Sequence, residues 1–177
     1  MLTLIPYYVY KKGEKMENLH LYRITEEYSR YIYEENNKVM KNFETKRRRP
    51  YIGIVLEINN INYFAPMSSP KEKHKLMKNN IDFIKINDGR DGIINLNNMI
   101  PVPLLCCEKI DINQEIKQNK KYGLILKYQY IWCNKNKNYI LNKANKLYNL
   151  IILNKANMKL KNRCCDFKYL EEKYKKF

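Results

Sequence analysis

Ser68-Ser69-Pro70-Lys71 places two hydroxyls and an ammonium within four residues. Upstream, the basic run Lys46-Arg47-Arg48-Arg49 feeds directly into Pro50 and an apolar stretch, residues 51–58. Groups of these types recognise oxyanions: a guanidinium offers a planar fork, an ammonium a point charge, and hydroxyls add hydrogen bonds. The chain carries 34 Lys and Arg against 18 Asp and Glu, a net charge of +16. On so basic a chain a phosphate is the anion to expect, and nucleic acid the expected source of it. The sixteen tyrosines favour RNA or single strands, whose exposed bases stack on aromatic rings.

Each candidate has a structural reading beside the functional one. Ser69 precedes Pro70, which fits a first helical position, and stands three residues before Glu72, so it reads as the N-cap of a capping box. The same helix start would present backbone N–H groups to an anion. Lys71, in that first turn, opposes the dipole unless an anion visits, and Ser68 can donate a further hydrogen bond. Arg49 is either an exposed charge or a bidentate phosphate ligand. Tyr28 is either a core packer or a site residue. His74 reads as a solvent-facing or capping residue.

Several elements must position these groups. Residues 19–24 alternate as a strand, and Thr25 caps a following helix carrying Tyr28, Tyr31 and Ile32. Residues 34–49 read as a mobile connection. Residues 51–58 and 61–67 form a buried hairpin turned at Asn59-Asn60, and a short helix runs from Pro70 to about Met77. Residues 81–86, 93–96 and 99–104 read as short strands, with a turn at Asp88-Gly89-Arg90-Asp91-Gly92. From about Gln114 the period becomes helical, giving two helices parted by residues 134–138, and Asp166 caps a last helix over residues 167–174. The class is α+β, an antiparallel core with helices packed on it.

Composition excludes other classes. No run of about eighteen apolar residues is present to span a membrane. Cys106, Cys107, Cys133, Cys164 and Cys165 make no C-x-x-C pair, and with only His20 and His74 to join them they offer no zinc spacing. They read as reduced thiols, which places the protein in the cytoplasm. Residues 1–10 are apolar but are followed, not preceded, by lysines, so they do not make a signal peptide. Residues 1–18 read as an N-terminal extension, with Met16 an alternative start, and residues 19–177 as one domain.

No cofactor is expected: there is no Walker loop, no G-x-S-x-G elbow and no paired-carboxylate pattern for metal-assisted hydrolysis. An enzyme built from these groups would act on RNA without metal. The ribose 2′-OH supplies the nucleophile, and the protein orients it and stabilises the added charge. A non-catalytic RNA-binding module using the same basic face is the alternative.

RPYIGIVLEI (residues 49–58), YFAPMSSPKEKH (63–74), GIINLNNMIPVP (92–103) and CCDFKYLEEKY (164–174) resemble the ToxN/AbiQ family of type III toxin–antitoxin toxins, from about residue 19 to the end. The resemblance implies a MazF/Kid-like, SH3-like barrel elaborated with helices. It implies a metal-independent endoribonuclease that cuts single-stranded RNA to 2′,3′-cyclic phosphate and 5′-OH ends. It also implies inhibition by a small RNA antitoxin, a repeat-derived pseudoknot, in a closed hetero-oligomeric complex, and a role in aborting phage infection. The family's Ser-Pro-Lys matches Ser69, Pro70 and Lys71, and its preceding hydroxyl residue matches Ser68. Its basic residue before the Gly-containing strand matches Arg49, and its first-helix tyrosine matches Tyr28.

Overall fold

A computed structural model describes residues 18–177. The expected extension lies outside them except for Asn18, as does the alternative start at Met16.

The centre is the hairpin of β2 (Tyr51–Ile58) and β3 (Ile61–Ser68). Its turn residues Asn59 and Asn60 have φ of 49° and 63°. Asparagine tolerates this left-handed backbone, and such turns match the right-handed twist of the strands they join. Both strands are lined by buried side chains, with Ile52, Tyr63, Phe64, Ala65 and Met67 at the centre of the core. Gly53 is required there, because a Cβ would stand 2.1 Å from the Phe64 ring.

β1 (His20–Ile24) pairs with β2 and with β7 (Cys107–Lys109). On the other side β3 pairs with β5 (Ile93–Ile94), which pairs with β4 (Ile84–Lys85), while β6 (Ile100–Pro101) also joins β3. Every pairing is antiparallel, and the sheet runs β4-β5-β3-β2-β1-β7. The α+β class therefore holds. The expected barrel is not closed by strand pairing, because the path ends at β4 and β7 without joining them.

Helices cover the sheet. They are α1 (Glu26–Glu35), α2 (Glu72–Leu76), α3 (Ile112–Gln118), α4 (Lys120–Lys135), α5 (Lys137–Ile152), α6 (Met158–Arg163) and α7 (Phe167–Tyr174). α5 packs on β2 through a face that includes Ile140, Ala144 and Leu147, and α7 packs on β6. Asp166 caps α7 as expected, accepting from the Tyr169 N–H.

Four expectations are corrected. The helical region holds three helices before residue 152, because Asn119 ends α3 and its side chain caps α4. α6 follows, capped by the Asn157 side chain. Strand 81–86 shrinks to β4, since Asp82 turns inward to an ion pair with Arg163 at 2.7 Å. The connection 34–49 is anchored: Val39 and Phe43 are buried, Asn42 accepts the Arg49 N–H, and Arg48 bonds the Ile24 carbonyl and the Glu108 carboxylate. All five cysteines are free, and burial pushes the Cys133 thiol up to about 12. No helix among the described residues is long and apolar enough to cross a membrane.

Candidate active site

Where β3 ends, the chain leaves the sheet at Ser68 beside the last residues of the basic run. Together they line an open cleft of about 290 Å³ with Arg49, Ser69, Lys71, Arg47 and Tyr122. Of the five expected residues, Ser68, Ser69, Lys71 and Arg49 share this cleft.

Arg49 precedes β2, and its backbone N–H donates to Asn42 Oδ1 at 2.5 Å. Its Nη1 donates to the Met67 carbonyl (3.3 Å) and to Ser68 Oγ (3.2 Å). Among the described residues, its buried Nε has no acceptor and neither does Nη2. One edge of the fork thus holds β3 and the other is unclaimed. A buried unsatisfied donor costs about 1–3 kcal/mol, and Nη2, on the same edge, is left to donate to an oxyanion in the cleft.

Ser68 is tightly tied. β3 pairs with β5 at Ser68 and Ile93. Gly92, at φ 101°, makes this approach possible, because a Cβ there would stand 2.0 Å from the Ser68 carbonyl oxygen. Ser68 Oγ accepts from Arg49 Nη1 and from Asn95 Nδ2 at 3.1 Å. Asn95 is itself buried and donates to the Pro66 carbonyl. A hydroxyl has two acceptor lone pairs and one proton. Both lone pairs are occupied, so the proton is left to donate elsewhere. Gln129 of α4, also buried, holds the neighbouring backbone by donating to the Asp91 carbonyl at 2.8 Å.

Ser69 and Lys71 are exposed. The expected capping box does not form: α2 begins at Glu72, Lys71 occupies the cap position with extended backbone, and no side chain caps it. Residues 69–71 continue outward from β3 instead. Lys71, extended at φ −143° and ψ 146°, holds the helix start back to Glu72. A five-residue helix beginning there offers no anion site of its own. The consequence is that the Ser69 hydroxyl, released from capping, has no hydrogen-bond partner among the described residues.

His74 is buried, contrary to the solvent-facing reading, and its Nδ1 has no partner. Burial, then the charges of Lys71 and Lys73, lower its pKa from the ordinary 6.5. It is the one buried side chain of α2, so it pins the arm that carries Ser69 and Lys71.

Tyr28 stands apart. It is fully buried, and its hydroxyl donates to the Pro101 carbonyl at 2.6 Å. Burial pushes its pKa far above the ordinary range. It does not line the cleft; it packs α1 against the strand that ends in Pro101. Tyr122 does line the cleft, with the Arg47 guanidinium 4.1 Å over its ring. Nothing in the sequence singled it out among sixteen tyrosines, or Asn95 and Gln129 among many amides.

The cleft's chemistry is that of an oxyanion clamp. Arg47, Arg49 and Lys71 bring positive charge, while Ser68, Ser69 and Tyr122 bring hydroxyls, and no carboxylate lines it. Arg48 is already committed to Glu108. Among the described residues no cluster of three or more His, Cys, Asp or Glu side chains is placed to hold a metal.

The family model described as "Toxin ToxN, type III toxin-antitoxin system" matches residues 20–175. Endoribonuclease ToxN of Bacillus thuringiensis subsp. kurstaki is 33% identical over 165 residues, spanning 91% of this chain and 85% of that protein. A solved structure from work on selective toxin inhibition by a non-coding RNA pseudoknot superposes with a TM-score of 0.79 at 35% identity, covering 90% of this chain and 98% of that one. The structure of AbiQ, a lactococcal anti-phage endoribonuclease of the type III toxin–antitoxin systems, gives 0.79 at 28% identity over 90% and 97% of the two chains.

Proposed function

The chain belongs to the ToxN family of type III toxin–antitoxin toxins, and from that premise we propose that it is a metal-independent endoribonuclease toxin of single-stranded RNA. Its products carry 2′,3′-cyclic phosphate and 5′-OH ends. A repeat-derived RNA pseudoknot holds it inactive in a closed hetero-oligomeric complex in the cytoplasm, and its release aborts phage infection.

One observation carries this reading. In a cleft free of carboxylates, the unclaimed edge of Arg49 and the free proton of Ser68 sit with two exposed, uncommitted groups, Ser69 and Lys71. Two donors are fixed before any ligand arrives, which is the arrangement that favours a transition state over a ground state. The donor set suits charge on phosphorus rather than coordination of a hard cation, which prefers carboxylate oxygen.

The reaction needs no group beyond these. The 2′-oxygen attacks the adjacent phosphorus while the P–O5′ bond breaks. One proton passes from the 2′-oxygen by way of Ser69 to solvent water, and one passes from solvent water to the departing 5′-oxygen, so the balance is even. Ser69 orients the 2′-OH and exchanges its proton. Arg49 and Lys71 neutralise the extra negative charge on the pentavalent phosphorus, and Ser68 donates to a non-bridging oxygen. Tyr28, committed to Pro101, takes no step.

The test is cleavage of a long mixed-sequence transcript by purified protein, with the ends mapped. Wild type is expected to cut in excess EDTA, and Ser69→Ala and Lys71→Ala to bind the transcript while cutting it far more slowly. Wild-type rates in both variants would remove the assignment. Salt-sensitive binding with no cleavage by wild type would leave an RNA-binding module.

A further inference from the structure

Beside the phosphate clamp, the same cleft holds an aromatic group that the reaction does not use. Tyr122 lies in the first turn of α4, with its backbone N–H bonded to Asn119 Oδ1 at 3.0 Å. Nearby, the Arg23 guanidinium is held by Glu115 at 2.8 Å, and its charge acts on the Tyr122 hydroxyl. The capped first turn of α4 therefore sets where the ring stands before any ligand arrives. Over its face lies Arg47, 4.1 Å away.

Arg47 and Arg49 are the arginines of this basic run without an ion pair among the described residues, and of the two Arg47 is the exposed one. Arg23 pairs with Glu115, Arg30 with Glu44 and Arg48 with Glu108, whereas Arg47 is exposed and makes no ion pair among the described residues. Among the described residues its place over the ring is held by a cation–π contact, which is weak at an exposed site. A fixed aromatic face under a displaceable cation, at the edge of a phosphate clamp, matches what a nucleotide presents: a flat base joined to an anion.

We propose that Tyr122 and Arg47 form a nucleobase subsite, in which a base flanking the scissile phosphate stacks on the Tyr122 ring as Arg47 moves from that face to the neighbouring phosphate. This rests on the endoribonuclease reading above. Every base has a π-face, so the seat grips a nucleotide without reading its identity. It keeps the flanking base unstacked from its neighbours, and so selects single-stranded RNA over duplex. Tyr122 acts by binding, so it sets KM rather than the chemical step.

The experiment uses the full chain and an RNA oligonucleotide carrying one mapped cleavage site. Matched oligonucleotides lack the base immediately 5′ or 3′ of the scissile phosphate. Tyr122→Ala is expected to raise KM about 5- to 150-fold, the range for losing one base stack, with kcat nearly unchanged. Tyr122→Phe keeps the ring and is expected to keep the wild-type KM. One of the two abasic substrates is expected to raise KM for wild type and for Tyr122→Phe, but to add nothing in Tyr122→Ala, because the two losses remove the same contact. Equal abasic penalties in wild type and Tyr122→Ala, or no abasic penalty in wild type, would overturn the subsite. So would a fall in kcat with KM unchanged. A wild-type chain that cuts no RNA would instead overturn the endoribonuclease reading, so the two failures are distinct. If Tyr122→Ala unfolds, the abasic comparison between wild type and Tyr122→Phe decides, with an unchanged KM in both counting against the proposal.

Discussion

Ser68 and Ser69 are consecutive residues lining one cleft, but their surroundings differ. Ser68 belongs to the sheet, with its hydroxyl accepting from Arg49 and Asn95. Ser69 has left the sheet, and its hydroxyl has no partner among the described residues. The same division runs through their neighbours. Arg49 is tied to β3 and to Asn42, whereas Lys71 is exposed on an arm whose short helix buries only His74. The difference separates two jobs. Groups that meet charge developing in a transition state gain from being fixed beforehand. Groups that orient a substrate hydroxyl and exchange protons must be reachable, and the exposed arm supplies them.

The largest expected effect breaks the exposed wall. Ser69→Ala and Lys71→Ala should each lower single-turnover cleavage by about 10²- to 10⁴-fold, the range for proton-transfer and charge-stabilising groups. Their melting temperatures should stay at the wild-type value, because neither side chain caps α2 or forms an ion pair. A clear fall in melting temperature for Ser69→Ala would restore the capping role and blur the division.

On the fixed wall, Arg49→Ala should cost about 10²- to 10³-fold in rate, and Arg49→Lys should recover little, since an ammonium cannot both hold Ser68 and offer a fork. Full recovery by lysine, measured in the same assay, would reduce Arg49 to a point charge. Asn95→Ala should cost only about 2- to 10-fold, the worth of one hydrogen bond to Ser68. An effect as large as that of Arg49→Ala would mean that the fixed wall depends on Asn95 as much as on the guanidinium.

The smallest effect concerns the pin under the exposed arm. His74 has a lowered pKa in the folded chain, from burial first and then from Lys71 and Lys73. The unfolded chain therefore binds the proton more readily. Stability is intact above the ordinary value of 6.5 and is lost as pH falls from there toward the folded-state value. Melting temperature should drop between about pH 7.5 and about pH 5.5 in wild type, and less steeply in His74→Gln. Equal slopes would show that His74 is not the group being titrated.

How much of this was legible in the sequence follows the same division. The hairpin was, because Asn59-Asn60 and two apolar runs leave little choice, and so was the α7 cap at Asp166. Motif spacing brought Ser68, Ser69, Lys71 and Arg49 together because β2 and β3 are adjacent antiparallel strands. The start of α2 was not legible, since the capping-box pattern fits Ser69 locally while Lys71 stays extended and the helix that follows buries His74. Local pattern also could not tell a tyrosine that fills the core, Tyr28, from one that lines the cleft, Tyr122. That difference is made by α4, which begins at Lys120, folding back onto a hairpin that ends at Ser68, a long-range contact that no local window contains.

The most direct measurement replaces a single ribose at a mapped cleavage site with 2′-deoxyribose and follows binding and cleavage by the wild-type chain. The fixed donors and the exposed Ser69 are proposed to act on an internal 2′-oxygen nucleophile. The substituted RNA should therefore bind nearly as before and remain uncut at that site. Cleavage there at the unmodified rate would mean that water or another group attacks the phosphorus, and would contradict the account.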